Sequence, residues 1–240
     1  MKSFASDKDI CSNLKELTDE FRNQYLERLK NTIQEGFWLM PNEEKIMGYG
    51  GAINKSYQLC TCFTDLGVNN STNHIEKYGL MGIGVSRKFV LERDGRPLWY
   101  FLNDPTDIHA DSIKELFNYL QINKTTDKKA ENLYYRMSML FDYAKPLGDN
   151  SSVLFDNYYE EREWRIVWNS KILKDFLIET YNKRPKYKMP FDNEDLQVII
   201  FPDKKTQILF FKDNFFIDLL SKKNYNPTLI SWEEYFKLLK

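Results

Sequence analysis

The sequence predicts a mixed α+β fold, with a central, largely antiparallel sheet carrying flanking helices. Three observations lead there. Some segments repeat apolar residues at helical spacing, and others are short β-branched or aromatic runs closed by turn residues. No repeat, low-complexity block or linker interrupts the chain, so a single domain over 1–240 is expected.

The elements follow in order. Leu14, Leu17, Phe21, Tyr25, Leu29 and Ile33 share one face of a helix over 13–35, with Ser12 as its N-cap and Gly36 as its stop. Phe37-Trp38-Leu39-Met40 comes next, and Pro41 and Asn42 punctuate the chain. Gly48, Gly50 and Gly51 make a permissive loop, a turn or a lid, without the lysine and hydroxyl of a phosphate-binding P-loop. Leu59–Thr64 reads as a strand, as does Gly82–Ser86, extending through Phe89 and Val90. Asp94-Gly95 turns the chain into a strand over Pro97–Phe101. Helices are predicted over 109–121 and 127–142, the second with an apolar face of Leu133, Tyr134, Met137, Leu140 and Phe141. Alternation over 162–168 puts Trp164, Ile166 and Trp168 on one strand face. A short helix over 171–181 and an exposed basic segment over 183–188 precede the clearest strand, Leu196–Phe201, which Pro202 and Asp203 end. Ile208–Phe211 and Phe215–Leu220 fit a buried helix or a strand equally. A final amphipathic segment starts at Ser231 and places Trp232, Phe236 and Leu239 on one face.

Composition bounds the function. Thirty-four basic and 35 acidic side chains leave a net charge of −1, without the basic footprint of a nonspecific DNA binder. No apolar run is long enough to cross a membrane, and the first residues lack a signal-peptide core. Three cysteines, two of them spaced C-x-C, make no disulfide framework. A cytoplasmic protein that makes no membrane contact is expected.

Two clusters carry chemistry. The first runs Cys60-Thr61-Cys62-Phe63-Thr64-Asp65-Leu66, then His74, Tyr78-Gly79, and Gly82-Ile83-Gly84-Val85-Ser86-Arg87. On a strand Cys60, Cys62 and Thr64 share a face, and on a helix His74 and Tyr78 do. Cys60, Cys62 and His74 lack the spacing of a closed zinc site, and no metal ligand set is assigned. A cysteine nucleophile served by His74 and Asp65 is chemically permitted, but two small buried strand cysteines is the plainer reading.

The second cluster is Tyr158-Tyr159-Glu160-Glu161-Arg162-Glu163-Trp164-Arg165. On a strand Glu161, Glu163 and Arg165 point one way, and Arg162 and Trp164 the other. Paired carboxylates beside aromatics can stabilise a developing cation or serve as general base; they can equally form an ion-pair ladder with the arginines. Asp65, Glu161 and Glu163 together would suit a divalent-metal nuclease.

These two clusters resemble the AbiGi-type abortive phage resistance family. The resemblance is carried by Cys62-Phe63-Thr64-Asp65-Leu66, His74, Tyr78-Gly79-Leu80-Met81-Gly82-Ile83-Gly84-Val85-Ser86, Pro97-Leu98-Trp99-Tyr100 and Tyr159–Arg165, and spans about 35–205. It implies a place in phage defence, either as an antitoxin that binds a partner protein or as an enzyme. Glu161-x-Glu163 is also similar, more distantly, to the two-glutamate pattern of ADP-ribosyltransferase-like folds. That likeness implies an NAD-dependent transfer of ADP-ribose to nucleic acid or protein. In it Glu163 stabilises the oxocarbenium-like ribose, Glu161 positions or activates the acceptor, and His74, Tyr78, Arg87 and Tyr100 hold NAD. The His-x-Thr strand usual in many such folds is not evident here, and Tyr78 and Tyr100 also suit a core.

Overall fold

The computed structural model describes residues 17–44, 56–67, 74–75, 78–102, 108–147, 162–168, 178–181 and 184–238. Among them, seven helices are α1 (Asp19–Glu35), α2 (Arg87–Glu92), α3 (Ile108–Asn123), α4 (Lys128–Phe141), α5 (Lys204–Lys212), α6 (Asn214–Lys223) and α7 (Trp232–Leu238). The strands are β1 (Phe37–Glu44), β2 (Ser56–Thr64), β3 (Gly82–Val85), β4 (Arg96–Pro97), β5 (Trp99–Leu102), β6 (Ala144–Leu147), β7 (Glu163–Val167), β8 (Ile178–Tyr181), β9 (Arg184–Met189), β10 (Leu196–Phe201) and β11 (Thr228–Ser231). The expected mixed α+β class, with an antiparallel sheet and flanking helices, is present. Among the described residues no closed barrel or other topology diagnostic of an ADP-ribosyltransferase accompanies it. No helix of the described residues is long and apolar enough to cross a membrane.

Contacts divide the chain into two units, one of residues 1–38, 66–93 and 174–240, the other of 39–65 and 94–173. In the first, α1 is capped by Thr18, whose side chain accepts from the Phe21 amide at 3.3 Å, so this helix starts at Asp19; Ser12, the expected cap, lies outside the described residues. It stops at Gly36 as expected. There φ is +87°, and a Cβ would stand 1.9 Å from the Met189 carbonyl oxygen. Phe37 meets Phe89 and Phe191 edge-on beyond that turn.

Strand β3 pairs antiparallel with β10, and β10 pairs parallel with β11. The strand expected to continue through Phe89 and Val90 instead turns into α2, because the Ser86 hydroxyl caps the Phe89 amide at 3.1 Å. The ambiguous 208–211 and 215–220 segments are α5 and α6, and they bury Phe210 and Phe216 ring to ring. Residues 178–181, expected to be helical, form β8 paired with β9. The expected exposed basic segment is largely β9: Tyr187 and Met189 are buried, and Lys188 pairs with Glu35 at 3.2 Å. Trp232, on the apolar face expected of the last segment, is buried with Leu17, Tyr25, Ile75 and Leu80, and its indole N–H donates to the Leu80 carbonyl at 2.7 Å.

In the second unit the order β4-β7-β2-β1 is antiparallel throughout. Strand β1 does not stop at Pro41, which pairs opposite Leu59 and runs on to Glu44. Proline's φ is compatible with an extended chain, and the residue removes only one donor from the ladder. The single strand expected over 97–101 is split into β4 and β5.

Among the described residues each unit has a parallel strand pair, and a pair of helices joins each: α3–α4 between β5 and β6, α5–α6 between β10 and β11. Parallel neighbours require such a crossover, whereas antiparallel ones can be joined by a turn.

Candidate functional site

Strand β7 lies between β2 and β4, and the register sets Cys62 opposite Arg165 and Thr64 opposite Glu163. Period-two alternation then places Cys60, Cys62, Glu163 and Arg165 on one face, with Trp164 and Ile166 on the other. This is the arrangement expected from the alternation over 162–168.

Both oxygens of Glu163 are engaged. Arg165 Nε donates to Oε1 at 2.8 Å, and Lys145 Nζ on β6 donates to Oε2 at 2.9 Å. The Glu163 and Arg165 side chains are 8% and 2% exposed, so the pair is sealed from solvent. Arg165 Nη1 also donates to the Asp142 carbonyl at 3.4 Å, at the C-terminal end of α4. Burial by itself pushes the Glu163 carboxyl up; Arg165, Lys145 and the Cys62 thiol outweigh it and hold the group below its ordinary value. Burial pushes the Asp142 carboxyl up to about 7, against the opposing pull of Arg165.

Cys62 is an exposed residue and Cys60 a buried one. The Cys62 thiol is nevertheless pushed up, first by its hydrogen bond with Cys60, then by shielding of the sulfur and by the Glu163 carboxylate. A thiol held protonated is a poor nucleophile. Among the described residues no three His, Cys, Asp or Glu side chains gather to hold a metal ion.

The other expected site residues are distributed as follows. Glu161 lies outside the described residues, as does the Gly48–Gly51 loop. Tyr100 is on β5, opposite Lys145 in the parallel register, within the same unit as Glu163. His74, Tyr78 and Arg87 belong to the other unit. His74 and Tyr78 do share a face, with ring centroids 4.4 Å apart, and Tyr78 is exposed rather than core. Arg87 is exposed at the first position of α2. Arg162 precedes β7 at φ +41°, and its carbonyl accepts from the Asp65 amide at 3.2 Å.

Sequence reading missed Lys145 and Asp142, because nothing local joins them to Glu163. Their one local sign was charge set among apolar and aromatic neighbours, in Phe141-Asp142-Tyr143-Ala144-Lys145-Pro146.

A family model described as "Putative abortive phage resistance protein AbiGi, antitoxin" matches residues 28–202. No curated protein matches the chain, and no solved structure does. The matched stretch contains β7, its partner strands and both sequence clusters, and it exceeds half the chain: the protein belongs to the AbiGi family of abortive phage resistance proteins.

Proposed function

We propose that this chain acts in the cytoplasm as the non-catalytic antitoxin of an abortive-infection system, binding a toxin protein instead of turning over a substrate. The observation that carries the reading is the state of Glu163. A transferase acting on NAD needs a carboxylate free to approach the ribose, and here both carboxylate oxygens are held by Arg165 and Lys145. The family description, which names an antitoxin, supports the same reading. The charge cluster then serves to fix β7 against β6 and to hold the unit in one shape for recognition.

The test expresses the toxin encoded beside this chain in its host, with and without the chain. Growth is expected to be restored by the wild type, and the two proteins are expected to copurify. NAD incubated with the purified chain, alone or with RNA, DNA or cell extract, is expected to release no nicotinamide. Acceptor-dependent release abolished by Glu163→Gln, with the fold retained, would replace this reading by the transferase, with Glu161 as its acceptor residue and NAD as its cofactor. EDTA-sensitive cleavage of nucleic acid would replace it by the nuclease.

A further inference from the structure

We infer that Met40, Cys60 and Cys62 form a three-sulfur site for a soft monovalent cation, Cu(I). Cys60 and Cys62 are alternate residues of β2 and so project from one face of the sheet. The antiparallel register sets Met40 of β1 directly opposite Cys60. Directly opposed residues share a face, with Cβ atoms about 5 Å apart, and the diagonal neighbour Cys62 stays within reach of a long side chain. All three sulfurs therefore belong to one sheet face of one unit.

The two thiols already meet, since Cys62 hydrogen-bonds with Cys60. Metal–thiolate bonds of about 2.3 Å at trigonal angles put two sulfurs about 4 Å apart, the separation of a sulfur–sulfur hydrogen bond. The thiols are less well placed to close on each other. Alternate residues of a strand lie about 6.7 Å apart, at the far end of the Cα range that a disulfide spans.

Exposure opens the site from one side. Cys60 is 5% exposed, whereas Cys62 is exposed and Met40 is 60% exposed. A thioether this open adds little to a core, but its flexible chain can swing over the thiols from the solvent side. The ion enters between Met40 and Cys62 and rests against Cys60.

The donor set selects the ion. Zinc asks for four ligands, and among the described residues no third His, Cys, Asp or Glu joins the thiols to hold a metal. Glu163, which hydrogen-bonds with Cys62, has each oxygen held by a cation. Thiolate and thioether sulfur together select Cu(I), an ion satisfied by two or three ligands. Charge balances as well. Binding releases one proton from each thiol to solvent, which leaves one net negative charge on the ion and its two thiolates. Glu163 adds a second, and the adjacent Arg165 and Lys145 neutralise both.

The inference does not rest on the antitoxin reading, which growth rescue tests; this one is read from metal binding to the purified chain. The full chain, reduced and anaerobic, is titrated with Cu(I) buffered by bicinchoninate. One ion per chain is expected, with an X-ray absorption shell of three sulfurs at about 2.3 Å. Cys62→Ser is expected to weaken binding at least ~100-fold and Met40→Leu at least ~10-fold. Met40→Leu is also expected to leave two sulfurs in the shell and the thermal transition of the metal-free chain unchanged, since that side chain is exposed. A chain that takes no Cu(I) from bicinchoninate, a shell containing nitrogen or oxygen, or an affinity indifferent to Met40→Leu overturns the proposal.

Discussion

Glu163 and Arg165 sit two residues apart on β7, face the same way and meet at 2.8 Å with both side chains almost wholly buried. A strand places residues i and i+2 on one face, so local geometry makes the pair possible. Lys145 completes it from a distant element.

Removing the carboxylate strands two buried cations. Glu163→Gln is therefore expected to cost about 3–5 kcal/mol of stability, measured by urea unfolding. Replacing the pair together, Glu163→Leu with Arg165→Met, is expected to cost clearly less than the two single changes combined. An additive double variant would mean that the pair does not act as a unit.

Protonation acts on the same cluster with opposite signs. Glu163 has a lowered folded-state value, so its contribution is present above the ordinary carboxylate range and is lost as pH falls below about 4.5. Asp142 has a raised value of about 7 against an ordinary 3.8, so it costs stability progressively as pH rises from about 4 to 7, and fully above that. Asp142→Asn is expected to stabilise the chain by about 1–2 kcal/mol at pH 8, allowing for its partial exposure, and by almost nothing near pH 4. Thermal melts at both pH values check this. Equal gains at the two would sink the titration account.

In the first unit Asp203 has two tasks. It accepts from Arg22 Nε at 3.0 Å and Nη2 at 2.6 Å, and it caps α5 through the Thr206 amide at 2.8 Å and hydroxyl at 2.6 Å. Burial raises its carboxyl, and the Arg22 and Thr206 bonds outweigh that and leave it lowered. Asp203→Ala is expected to cost about 3 kcal/mol, since it removes a cap and leaves Arg22 without this partner. Asp203→Ser, which keeps a capping oxygen, is expected to recover about 1 kcal/mol of that in the same unfolding assay.

Cys62 is expected to react slowly with a thiol reagent despite its exposure, because the thiol stays protonated. Labelling at pH 8, followed by mass spectrometry at Cys62, is expected to run at least ~10-fold slower than for free cysteine. Glu163→Gln is expected to speed it, provided the variant remains folded.

Helical periodicity was legible wherever a seam was regular, as in α3, α4 and α1, and Gly36 announced its own stop because few residues accept its backbone. Ends were less legible. The hydroxyls of Ser86 and Thr18 reset two boundaries by capping, a competition that apolar patterning does not register. The 208–220 stretch could not be assigned from its own pattern, since a buried helix and a buried strand are both continuously apolar.

Sequence by itself determined the class of fold, the face on which Glu163 and Arg165 point, and the family motifs, because these rest on spacing along one segment. Tertiary structure alone decided what those residues meet. It brought Lys145 from β6 to the second oxygen of Glu163, so that a candidate catalytic carboxylate is held, buried, between two cations. It also buried Trp232. Burial and long-range pairing depend on which segments meet, and two side chains 18 residues apart carry no local signal of that meeting.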